Sequence, residues 1–484
     1  MKKSTKIIAT VGPSIDSDEK ISELIDLGVN IFRFNIKHND LTWHKDKIKN
    51  VKKIAKDKGI AIGTLLDLQG PEIRTVVPGG EITLTKAEQI FVGDTQDQKF
   101  ENKKFTISHP EVLSHLTRGQ QIVVEDGRAT FRVIDVNKNG AVLESAGNQT
   151  LRTKKTFNLP GATYPMPTLT EKDREAIKMC KGSEIDFIAL SFVRSAQDIL
   201  DLKEVMKHEG VVARVIPKIE TRLALENLDE IVTASEGLMI ARGDLGIEIP
   251  IEQVPFYQKL MIKKCLERGI PVITATQMLI SMAENPYPTR AEVSDIANAV
   301  YDLTDAVMLS EETAMGAHPL EAVETMSGTV EFSEKEGMIK DTRRVYDFFI
   351  LDPEEMLCDT AYNLYLSFER EGQPIGGFIV FSETGRTARK LSRYRAKVPI
   401  YVFVPDEKTL GGLTMSFGVM PIMQPKEIAD NKQVRIEDMK EAFAYLVAHE
   451  NVDPDKRYIL LYGDNWNVAG GISTIKIVYP KNLD

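Results

Sequence analysis

Short apolar segments recur along the chain as far as residue 310, and stretches with helical periodicity separate them. Eight of these segments have the length and continuous apolar character of buried parallel strands. Parallel strands need a crossover connection, which is usually a helix, so this alternation predicts a sheet built from βα units. The segments span residues 6–11, 29–34, 60–66, 186–192, 213–217, 237–241, 271–276 and 305–310.

Polar side chains stand at the carboxyl ends of nearly all of these segments. In a (β/α)8 TIM barrel those ends meet at one rim, where the active site forms. A doubly wound sheet is also compatible with the strand pattern alone, but the shared polar ends favour the barrel. The residues concerned are Arg33, Asn35, Asp67, Ser191, Lys218, Glu220, Asp244, Thr276 and Ser310.

The length of the chain, 484 residues, predicts more than one hydrophobic core. Residues 72–161 alternate apolar and polar positions between Pro-Gly-Gly, Asp-Gly and Asn-Gly turns, which predicts a small inserted β-barrel domain. Tethered at two points beside the rim, it could act as a lid. The barrel would comprise residues 1–71 and 162–340, and residues 341–484 predict a C-terminal α/β domain.

Lys218 and Glu220 end one predicted strand two positions apart, so both side chains leave on the same face. Asp244 follows the next strand, within residues 242–246, which we expect to form a loop with backbone N–H groups open to an anion. If these strands pair, two carboxylates and one ammonium converge. That combination suits a divalent metal holding an oxyanion substrate beside a cation.

Composition excludes several classes of protein. A net charge of −10 argues against a general nucleic-acid binder and against a protein of anionic membrane surfaces. The three cysteines have no paired spacing, which predicts free thiols and a cytoplasmic location. We find neither a signal-peptide segment nor an apolar run long enough to span a membrane, so no membrane partner is expected.

Seven longer motifs follow one another along the chain: residues 5–13 (TKIIATVGP), 70–75 (GPEIRT), 158–161 (NLPG), 217–220 (PKIE), 241–249 (ARGDLGIEI), 275–279 (ATQML) and 288–300 (PTRAEVSDIANAV). In these motifs and their order, nearly the whole chain resembles the pyruvate kinase family. The resemblance implies a barrel, an inserted lid and a C-terminal effector and interface domain. It also implies phosphoryl transfer from phosphoenolpyruvate to ADP, giving pyruvate and ATP, in a homotetramer that uses Mg²⁺ (or Mn²⁺).

The resemblance assigns roles to the residues at the rim. Glu220 and Asp244 would bind the divalent metal, with substrate oxygens and water as its other ligands. Lys218 would neutralise the transferring phosphoryl group and the enolate. Arg33 and Arg74 would hold phosphate, although either could instead form a structural ion pair.

The remaining catalytic assignments concern the substrate carboxylate and the enolate. The N–H groups of Gly243 and Asp244 would receive the carboxylate. Thr276 would help to protonate the enolate carbon through water, the alternative being an ordinary β-branched strand residue. Ser310 and Glu312 would organise that water.

A nucleotide site is implied on the same side of the barrel. Lys154 or Lys155, where the lid returns to the barrel, would close on phosphate, although a solvated charge run is the alternative. The predicted nucleotide-binding residues are Arg33, Asn35, His38, Arg74 and Lys155.

The monovalent-cation site departs from the family pattern. K⁺ would be held by Asn35, Asp67, the carbonyl of Leu68 and a serine, and Lys37 stands in place of that serine. An ammonium carries the same charge as K⁺, so Lys37 could replace the ion and K⁺ becomes a doubtful cofactor. Against this, Glu72 accompanies K⁺ dependence in the family, and Lys37 could also turn outward.

Two further departures lie near the predicted site. Gln69 stands where the family has a lysine, which removes one positive charge that Lys37 might restore. Glu311 stands where glycine is usual, and its side chain could crowd the site or raise the pKa of a neighbouring carboxyl. The sequence leaves both possibilities open.

A second phosphate site is implied in the C-terminal domain by Ser382, Thr384, Gly385, Arg386 and Thr387, which resemble the family's effector loop. An acidic residue, Glu383, lies within it, and the late loop 462–471 offers an acid but no arginine. A bisphosphate effector is therefore disfavoured, whereas a monophosphate effector or none remains open.

Two other functions are considered. The departures at Lys37, Gln69 and Glu311 would suit a catalytically weak regulatory homologue that binds phosphoenolpyruvate. A Mg²⁺-dependent lyase or aldolase acting on a pyruvate enolate would use the same rim. The retained lid and the Lys154–Lys155 pair favour a nucleotide acceptor instead.

Overall fold

A computed structural model describes residues 3–93, 103–125, 127–161, 166–337, 352–424, 436–449, 452–463 and 471–479, together with Thr342, Phe348 and Ile350. In chain order the strands are β1 (Lys6–Thr10), β2 (Ile31–Asn35), β3 (Gly63–Asp67), β4 (Thr75–Val76), β5 (Glu81–Leu84), β6 (Gln89–Gly93), β7 (Lys104–Ile107), β8 (Gln121–Val124), β9 (Ala129–Asn137), β10 (Gly140–Ser145), β11 (Gln149–Arg152), β12 (Phe157–Asn158), β13 (Phe187–Leu190), β14 (Arg214–Ile219), β15 (Leu238–Ala241), β16 (Val272–Ala275), β17 (Ala306–Leu309), β18 (Gly377–Phe381), β19 (Ile400–Val404), β20 (Val419–Met423), β21 (Tyr458–Gly463) and β22 (Ile472–Val478).

Helices connect most of these strands. They are α1 (Asp18–Asp26), α2 (Leu41–Asp57), α3 (Glu171–Met179), α4 (Ala196–Glu209), α5 (Arg222–Glu226), α6 (Leu228–Ala234), α7 (Arg242–Glu248), α8 (Val254–Arg268), α9 (Arg290–Tyr301), α10 (Glu311–Ala314), α11 (Pro319–Gly337), α12 (Pro353–Arg370), α13 (Arg386–Ser392), α14 (Glu407–Leu413) and α15 (Ile436–His449). Short 3₁₀ helices lie at Pro110–His115, Ile251–Gln253 and Ile280–Ala283.

Local sequence signals explain several helix ends. Helix α9 begins with a capping box, in which Thr289 and Glu292 each accept a hydrogen bond from the other's backbone N–H. Helix α8 ends at Gly269, whose φ of 70° is easily adopted without a Cβ. Caps of this kind satisfy backbone groups that the helix itself leaves unpaired.

Eight parallel strands close into a barrel in the order β1-β17-β16-β15-β14-β13-β3-β2. The predicted (β/α)8 barrel is therefore confirmed, and the open doubly wound sheet is excluded. Large side chains such as Ile8, Leu65 and Phe187 fill the interior, and Met415 from the C-terminal region packs with them. A larger apolar cluster lies between the strands and the surrounding helices.

The inserted segment forms a separate β structure with its own core. A seven-stranded sheet has the order β12-β8-β9-β10-β6-β7-β4, and β11 pairs with β5 beside it. Its apolar cluster includes Ile90, Val92, Phe105 and Phe131. This barrel-like sheet, which is built from strands alone, agrees with the small β-barrel domain predicted for the insertion.

The C-terminal region is a five-stranded sheet in the order β20-β19-β18-β21-β22. Its first four strands are parallel, and β22 closes the edge in the antiparallel direction. Apolar clusters cover both faces of the sheet, as expected for an α/β arrangement. The predicted bounds 1–71 with 162–340, 72–161 and 341–484 remain predictions, and residue 341 lies outside the described residues.

A buried ion pair joins the C-terminal region to the barrel. Arg395 Nη2 lies 2.6 Å from Asp305 Oδ2, and their side chains are only 1% and 4% exposed. Arg395 also donates to the carbonyl of Leu303, and its guanidinium lies 4.7 Å from the ring centre of Phe417. The backbone N–H of Phe417 donates to Asp305 at 2.9 Å. The pair therefore fixes the contact between the two regions.

Within the described residues, the structure contains no helix of sufficient length and apolar character to cross a membrane.

We expect Arg395→Met to destabilise the fold by about 3–5 kcal/mol, because it leaves the Asp305 carboxylate buried without its charge partner. Urea denaturation measures this change. The control is Lys58→Gln, which removes an ion pair with Asp26, whose side chain is 62% exposed; it should cost no more than about 1 kcal/mol. Equal effects of the two substitutions would contradict this account.

Candidate functional site

The carboxyl ends of β14 and β15 bring Lys218, Glu220 and Asp244 to the same rim, as the pairing of Lys218 with Met239 on the neighbouring strand requires. Residues 242–248 form helix α7, so the prediction of a loop at 242–246 is wrong. Asp244 lies in the first turn of this helix, where the helix dipole favours a negative charge, and the N–H of Gly243 donates to Thr276 Oγ1. The predicted anion site thus falls at the start of a helix, and anion binding there remains a prediction.

Lys218 is the centre of a buried ionic cluster. Its ammonium lies 2.8 Å from Glu220 Oε1 and 3.4 Å from Asp67 Oδ1, and it donates to Ser191 Oγ at 2.8 Å. Desolvation lowers the pKa of Lys218, but Asp67, Glu220 and Asp244 outweigh it and hold this pKa above its ordinary value. Lys218 therefore remains a cation at the base of the site.

The environment of Glu220 suits a cation. Burial raises the pKa of Glu220, and the charge of Asp244 adds to this effect, while Lys218 opposes it. Glu220 Oε2 accepts the backbone N–H of Phe192 at 2.6 Å, and Oε1 lies 2.8 Å from the Lys218 ammonium. Glu220 and Asp244 line the same cleft, and two carboxylates brought together in this way suit a divalent metal. No group of three or more His, Cys, Asp or Glu suited to a metal occurs in the described part of the chain.

Arg33, predicted to hold phosphate, lies in the same cluster. Its Nε donates to Asp67 Oδ2 at 2.8 Å and its Nη1 donates to Thr10 Oγ1 at 2.9 Å. Desolvation would raise the pKa of Asp67, but Lys218 and Arg33 lower it below its ordinary value. The structural ion pair that the sequence left open for Arg33 is thus present, and the guanidinium lies beside Lys218's partner.

Glu72 bridges two cations at the entrance to the lid. One of its oxygens pairs with Lys37 Nζ and the other with Arg74 Nη2. Lys37 therefore turns inward, and its ammonium lies 5.9 Å from the ring centre of Phe192. Lys37 also contributes to lowering the pKa of Asp67, after the larger effects of burial, Lys218 and Arg33. The second departure, Gln69, is partly buried and adds no charge here.

Two of the predicted K⁺ ligands, Asn35 and the Leu68 carbonyl, accept hydrogen bonds from other groups of the protein. Asn35 Oδ1 accepts the backbone N–H of Lys37 at 3.1 Å. The Leu68 carbonyl accepts the hydroxyl of Ser191 at 2.8 Å. Asp67 Oδ1 is buried without a hydrogen bond in the described part of the chain. The Lys37 ammonium pairs with Glu72, and no ion pair between Lys37 and Asp67 is recorded among the described residues.

Two residues predicted to contact the nucleotide lie away from this cluster. Lys155 Nζ is 3.0 Å from Glu125 Oε1, within the lid. His38 is exposed, and its carbonyl lies 2.7 Å from Nε2 of the buried His44. The carbonyl of Lys154 accepts Arg74 Nη1 at 2.9 Å, so the lid's return is joined to Arg74.

Thr276 and Gly243 lie just beyond the carboxyl ends of the neighbouring strands β16 and β15. The N–H of Gly243 donates to Thr276 Oγ1 at 2.8 Å, and the hydroxyl of Thr276 donates to the Ala275 carbonyl at 2.6 Å. Thr276 and Gln277 have φ values of 67° and 55°. Such angles are strained for a β-branched residue, so Thr276 is not an ordinary strand residue.

Glu312 anchors the end of the last barrel strand. It is fully buried and accepts the N–H groups of Leu279 at 3.1 Å and Ser310 at 2.7 Å. Burial raises the pKa of Glu312, and Glu311 adds a smaller contribution of the same sign. Glu311 is exposed, so it acts through charge and does not crowd the site.

The basic side chains of the predicted effector loop are paired internally. Arg386 lies 2.5 Å from Asp352 Oδ2 and 2.9 Å from Glu354 Oε2. The hydroxyl of Thr387 donates to the buried Glu354. Gly385 has a φ of 70° at the start of α13. The loop lies in the C-terminal region, and residues 464–470 of the second predicted effector segment lie outside the described residues.

A cleft separates the lid from the barrel and contains Glu72, Glu220 and Asp244, with Phe157 and Met166 on its lid side. The structure thus places Arg33, Lys218, Glu220, Asp244, Gly243 and Thr276 at one rim. Sequence reasoning missed the role of Arg242, which lies in a quoted motif but was assigned no contact. The arginine directly before the Gly-Asp pair was the signal available.

Comparisons with known proteins agree with this architecture. The family model described as pyruvate kinase, barrel domain, matches residues 2–323, and the pyruvate kinase alpha/beta domain matches residues 371–478. A pyruvate kinase of Bacillus licheniformis is 39% identical over 427 residues, which cover 86% of this chain and 71% of that protein. One from Clostridium perfringens is 38% identical over 423 residues, covering 86% of this chain and 88% of the relative. One from Sporosarcina psychrophila is 36% identical, covering 98% and 80% respectively.

We expect Glu312→Gln to destabilise the protein by about 1–3 kcal/mol, because the amide –NH₂ would face a backbone donor. Because the pKa of Glu312 is raised, the folded protein keeps the carboxyl proton of Glu312 at pH values where the unfolded chain has lost it. The contribution of Glu312 to the free energy of unfolding therefore falls as pH rises. The loss caused by Glu312→Gln should therefore be smaller at alkaline than at acidic pH. Urea titrations at several pH values measure it, and the exposed neighbour substitution Glu311→Gln should change stability by at most about 0.5 kcal/mol.

Proposed function

The chain belongs to the pyruvate kinase family of phosphotransferases, and on this basis we propose that it transfers the phosphoryl group of phosphoenolpyruvate to ADP. The observation that carries the proposal is the buried cluster of Lys218 with Asp67 and Glu220, 3.4 and 2.8 Å from its ammonium. Phosphoryl transfer depends on fixed charges around the transferred group more than on covalent chemistry. A lysine held as a cation beside two carboxylates meets that need.

The reaction breaks the bond between phosphorus and the enol oxygen and forms a bond to a terminal phosphate oxygen of ADP. The resulting enolate takes up a proton at its methylene carbon, which gives pyruvate. Lys218 offsets charge on the phosphoryl group and the enolate oxygen. Arg33, 2.6 Å from Asp67, and Arg74 at the lid entrance provide guanidinium groups for phosphate.

Glu220 and Asp244 would hold Mg²⁺ (or Mn²⁺), which when bound offsets negative charge on the substrate's oxygens. The position of both carboxylates on the lining of one cleft supports this assignment. At the start of α7 the substrate carboxylate would accept the N–H of Asp244 and would replace Thr276 Oγ1 as the acceptor of the Gly243 N–H. Thr276, whose Oγ1 lies 2.8 Å from the Gly243 nitrogen, would then stand beside the enolate carbon, with Ser310 and Glu312 ordering water nearby.

The nucleotide would approach between the barrel rim and the lid. Arg33 and Asn35 belong to barrel strand β2, Arg74 lies at the start of the lid, and His38 is exposed after β2. Lys155 is held in the lid by Glu125, so closure of the lid would carry its ammonium toward the phosphates.

Lys37 would replace the monovalent cation. Its inward orientation and its contribution to the lowered pKa of Asp67 support this, because both place positive potential where K⁺ would act. Glu72 offsets part of that charge but shares its carboxylate with Arg74. The proposed enzyme is therefore active without K⁺.

A homotetramer and a cytoplasmic location complete the proposal. Six apolar side chains among the described residues of the barrel are more than 60% exposed, which supports self-association: Val212, Ile251, Phe256, Tyr287, Met315 and Phe332. The cysteines Cys180, Cys265 and Cys358 are free and buried, as fits a reducing compartment. Sedimentation velocity measures the oligomeric state.

We expect pyruvate formation from phosphoenolpyruvate, ADP and Mg²⁺ at similar rates in KCl and in tetramethylammonium chloride of matched ionic strength. Lys37→Ser should lower the rate without K⁺ by at least about tenfold and restore activation by K⁺, because one local charge is lost. Lys49→Ser, on the exposed face of α2, is the control and should behave like the wild type. K⁺-dependent turnover of the wild type would refute the role of Lys37, and binding of phosphoenolpyruvate without any turnover would indicate a regulatory homologue.

We also expect fructose bisphosphate to leave the activity unchanged, since Asp352 and Glu354 already occupy the basic side chain of Arg386. Equilibrium titration with fructose bisphosphate and with sugar monophosphates tests this expectation. Glu354→Thr removes one of the two acidic partners of Arg386 and the acceptor of the Thr387 hydroxyl, and it should increase phosphate binding by about tenfold, the value of one charge-assisted contact. Tight bisphosphate binding by the wild type would contradict the expectation.

A further inference from the structure

The backbone that carries Thr276 is strained, and neighbouring elements must hold it in place. Thr276 and Gln277 both adopt positive φ, at 67° and 55°, directly after strand β16. A residue of this kind costs on the order of 1–3 kcal/mol and persists only where its surroundings over-determine it. The contacts of residues 275–281 therefore show what fixes the hydroxyl of Thr276.

The far part of this segment is held by two carboxylates. Glu312 accepts the N–H of Leu279 at 3.1 Å, and Glu292 accepts the N–H of Ser281 at 2.8 Å. Both acceptors act beyond Met278. The strained residues themselves need a different partner.

Arg242 is that partner. Its Nε donates to the Ala275 carbonyl at 3.1 Å, and its Nη2 donates to the Thr276 carbonyl at 2.7 Å. Nη2 also lies 2.8 Å from Met278 Sδ. One guanidinium thus contacts residues on both sides of the strained pair and the carbonyl of Thr276 itself.

The guanidinium is in turn fixed from the other side. Its Nη1 lies 2.7 Å from Asp295 on helix α9 and 3.3 Å from Gln258 on helix α8. The side chain of Arg242 is only 12% exposed. Its Nε and both terminal nitrogens therefore contact protein atoms on three different elements.

Arg242 also precedes Gly243, whose N–H donates to Thr276 Oγ1 at 2.8 Å. One residue therefore connects the helix that offers the proposed carboxylate site to the strand end that offers the proposed proton-transfer hydroxyl. A shift of either element would separate the two groups.

We propose that Arg242 is a positioning residue that holds the strained Thr276–Gln277 backbone, so that the Thr276 hydroxyl and the Gly243 N–H address the same substrate. This inference rests on the proposed function for the identity of that substrate. It assigns Arg242 to the proton-transfer half of the reaction, through Thr276, and not to the binding of nucleotide.

The test compares Arg242→Gln and Arg242→Lys with the wild type in two assays. The first measures kcat and KM for phosphoenolpyruvate and for ADP. The second follows exchange of the pyruvate methyl hydrogens in D₂O with Mg²⁺ and ATP by NMR, in which a proton leaves the methyl carbon and a deuteron returns. We expect Arg242→Gln to reduce kcat and exchange by about 10–100-fold, because small misplacements of a reacting group have effects of this size. KM for ADP should stay within about twofold, and Arg242→Lys should recover part of the rate.

Lys52→Gln is the matched control. Lys52 is similarly buried, with 14% of its side chain exposed, and contacts one carboxylate, Asp186, and one carbonyl, Ile62, at the opposite end of the barrel. It should affect stability but change exchange by less than about twofold, because its contacts lie far from the rim.

A double-mutant cycle with Thr276→Ala separates positioning from general damage. If Arg242 acts through Thr276, Arg242→Gln should have little further effect on exchange in the Thr276→Ala background. Independent, multiplicative losses would overturn the proposal, as would unchanged exchange in Arg242→Gln. If Arg242→Gln does not fold, the same cycle is made with Arg242→Lys and Asp295→Asn.

Failure of the proposed function gives a different result. A wild-type protein that neither forms pyruvate nor catalyses exchange would refute the phosphotransferase assignment. The positioning role is then judged by backbone hydrogen exchange of residues 276–281, which Arg242→Gln should accelerate and Lys52→Gln should not. Unaltered protection in Arg242→Gln would overturn it.

Discussion

The site depends on the compensation of buried charge around Lys218. Its ammonium lies within 3.4 Å of carboxylates from β3 and β14, and a guanidinium from β2 pairs with the first of these. Charges of this kind are costly to bury alone, so each stabilises the others only while the barrel keeps them together. The closed order of eight strands keeps these side chains at one rim, and the proposed catalysis by fixed charges depends on that geometry.

Backbone strain is the second feature that the rim supports. Thr276 and Gln277 hold positive φ beside the N-terminus of α7, where Gly243 donates to the threonine hydroxyl. Arg242 donates to the carbonyls of Ala275 and Thr276, and in our proposal these contacts hold the strained conformation. Strain at a functional site is maintained by surroundings that are themselves rigid, here helices α8 and α9. Thr276 and Gly243, which are proposed to act on the substrate, are therefore also part of the packed structure around α7.

The C-terminal region contacts the barrel at the amino ends of its strands, opposite the rim. Arg214, the first residue of β14, lies 3.4 Å from the Thr384 carbonyl of the predicted effector loop, and Lys218 and Glu220 lie at the other end of that strand. Arg395 and Asp305 fix the same interface through a buried pair. Strand β14 thus contacts the predicted effector loop at one end and bears Lys218 at the other, and Asp352 and Glu354 pair with Arg386 of that loop.

The eight barrel strands and the polar residues at their carboxyl ends could be predicted from the sequence. Apolar runs located all eight barrel strands to within a few residues, because continuous burial of a parallel strand is a local property. The same reasoning placed Lys218, Glu220, Asp244 and Thr276 at strand ends. The contacts between these side chains could not be predicted and are known only from the tertiary structure. It made residues 242–248 a helix, joined Lys37 to Glu72, and brought Arg242 to the carbonyl of Thr276. Those contacts join side chains that are distant in sequence and that compete for the same partners. A local sequence pattern does not indicate which of the competing contacts forms.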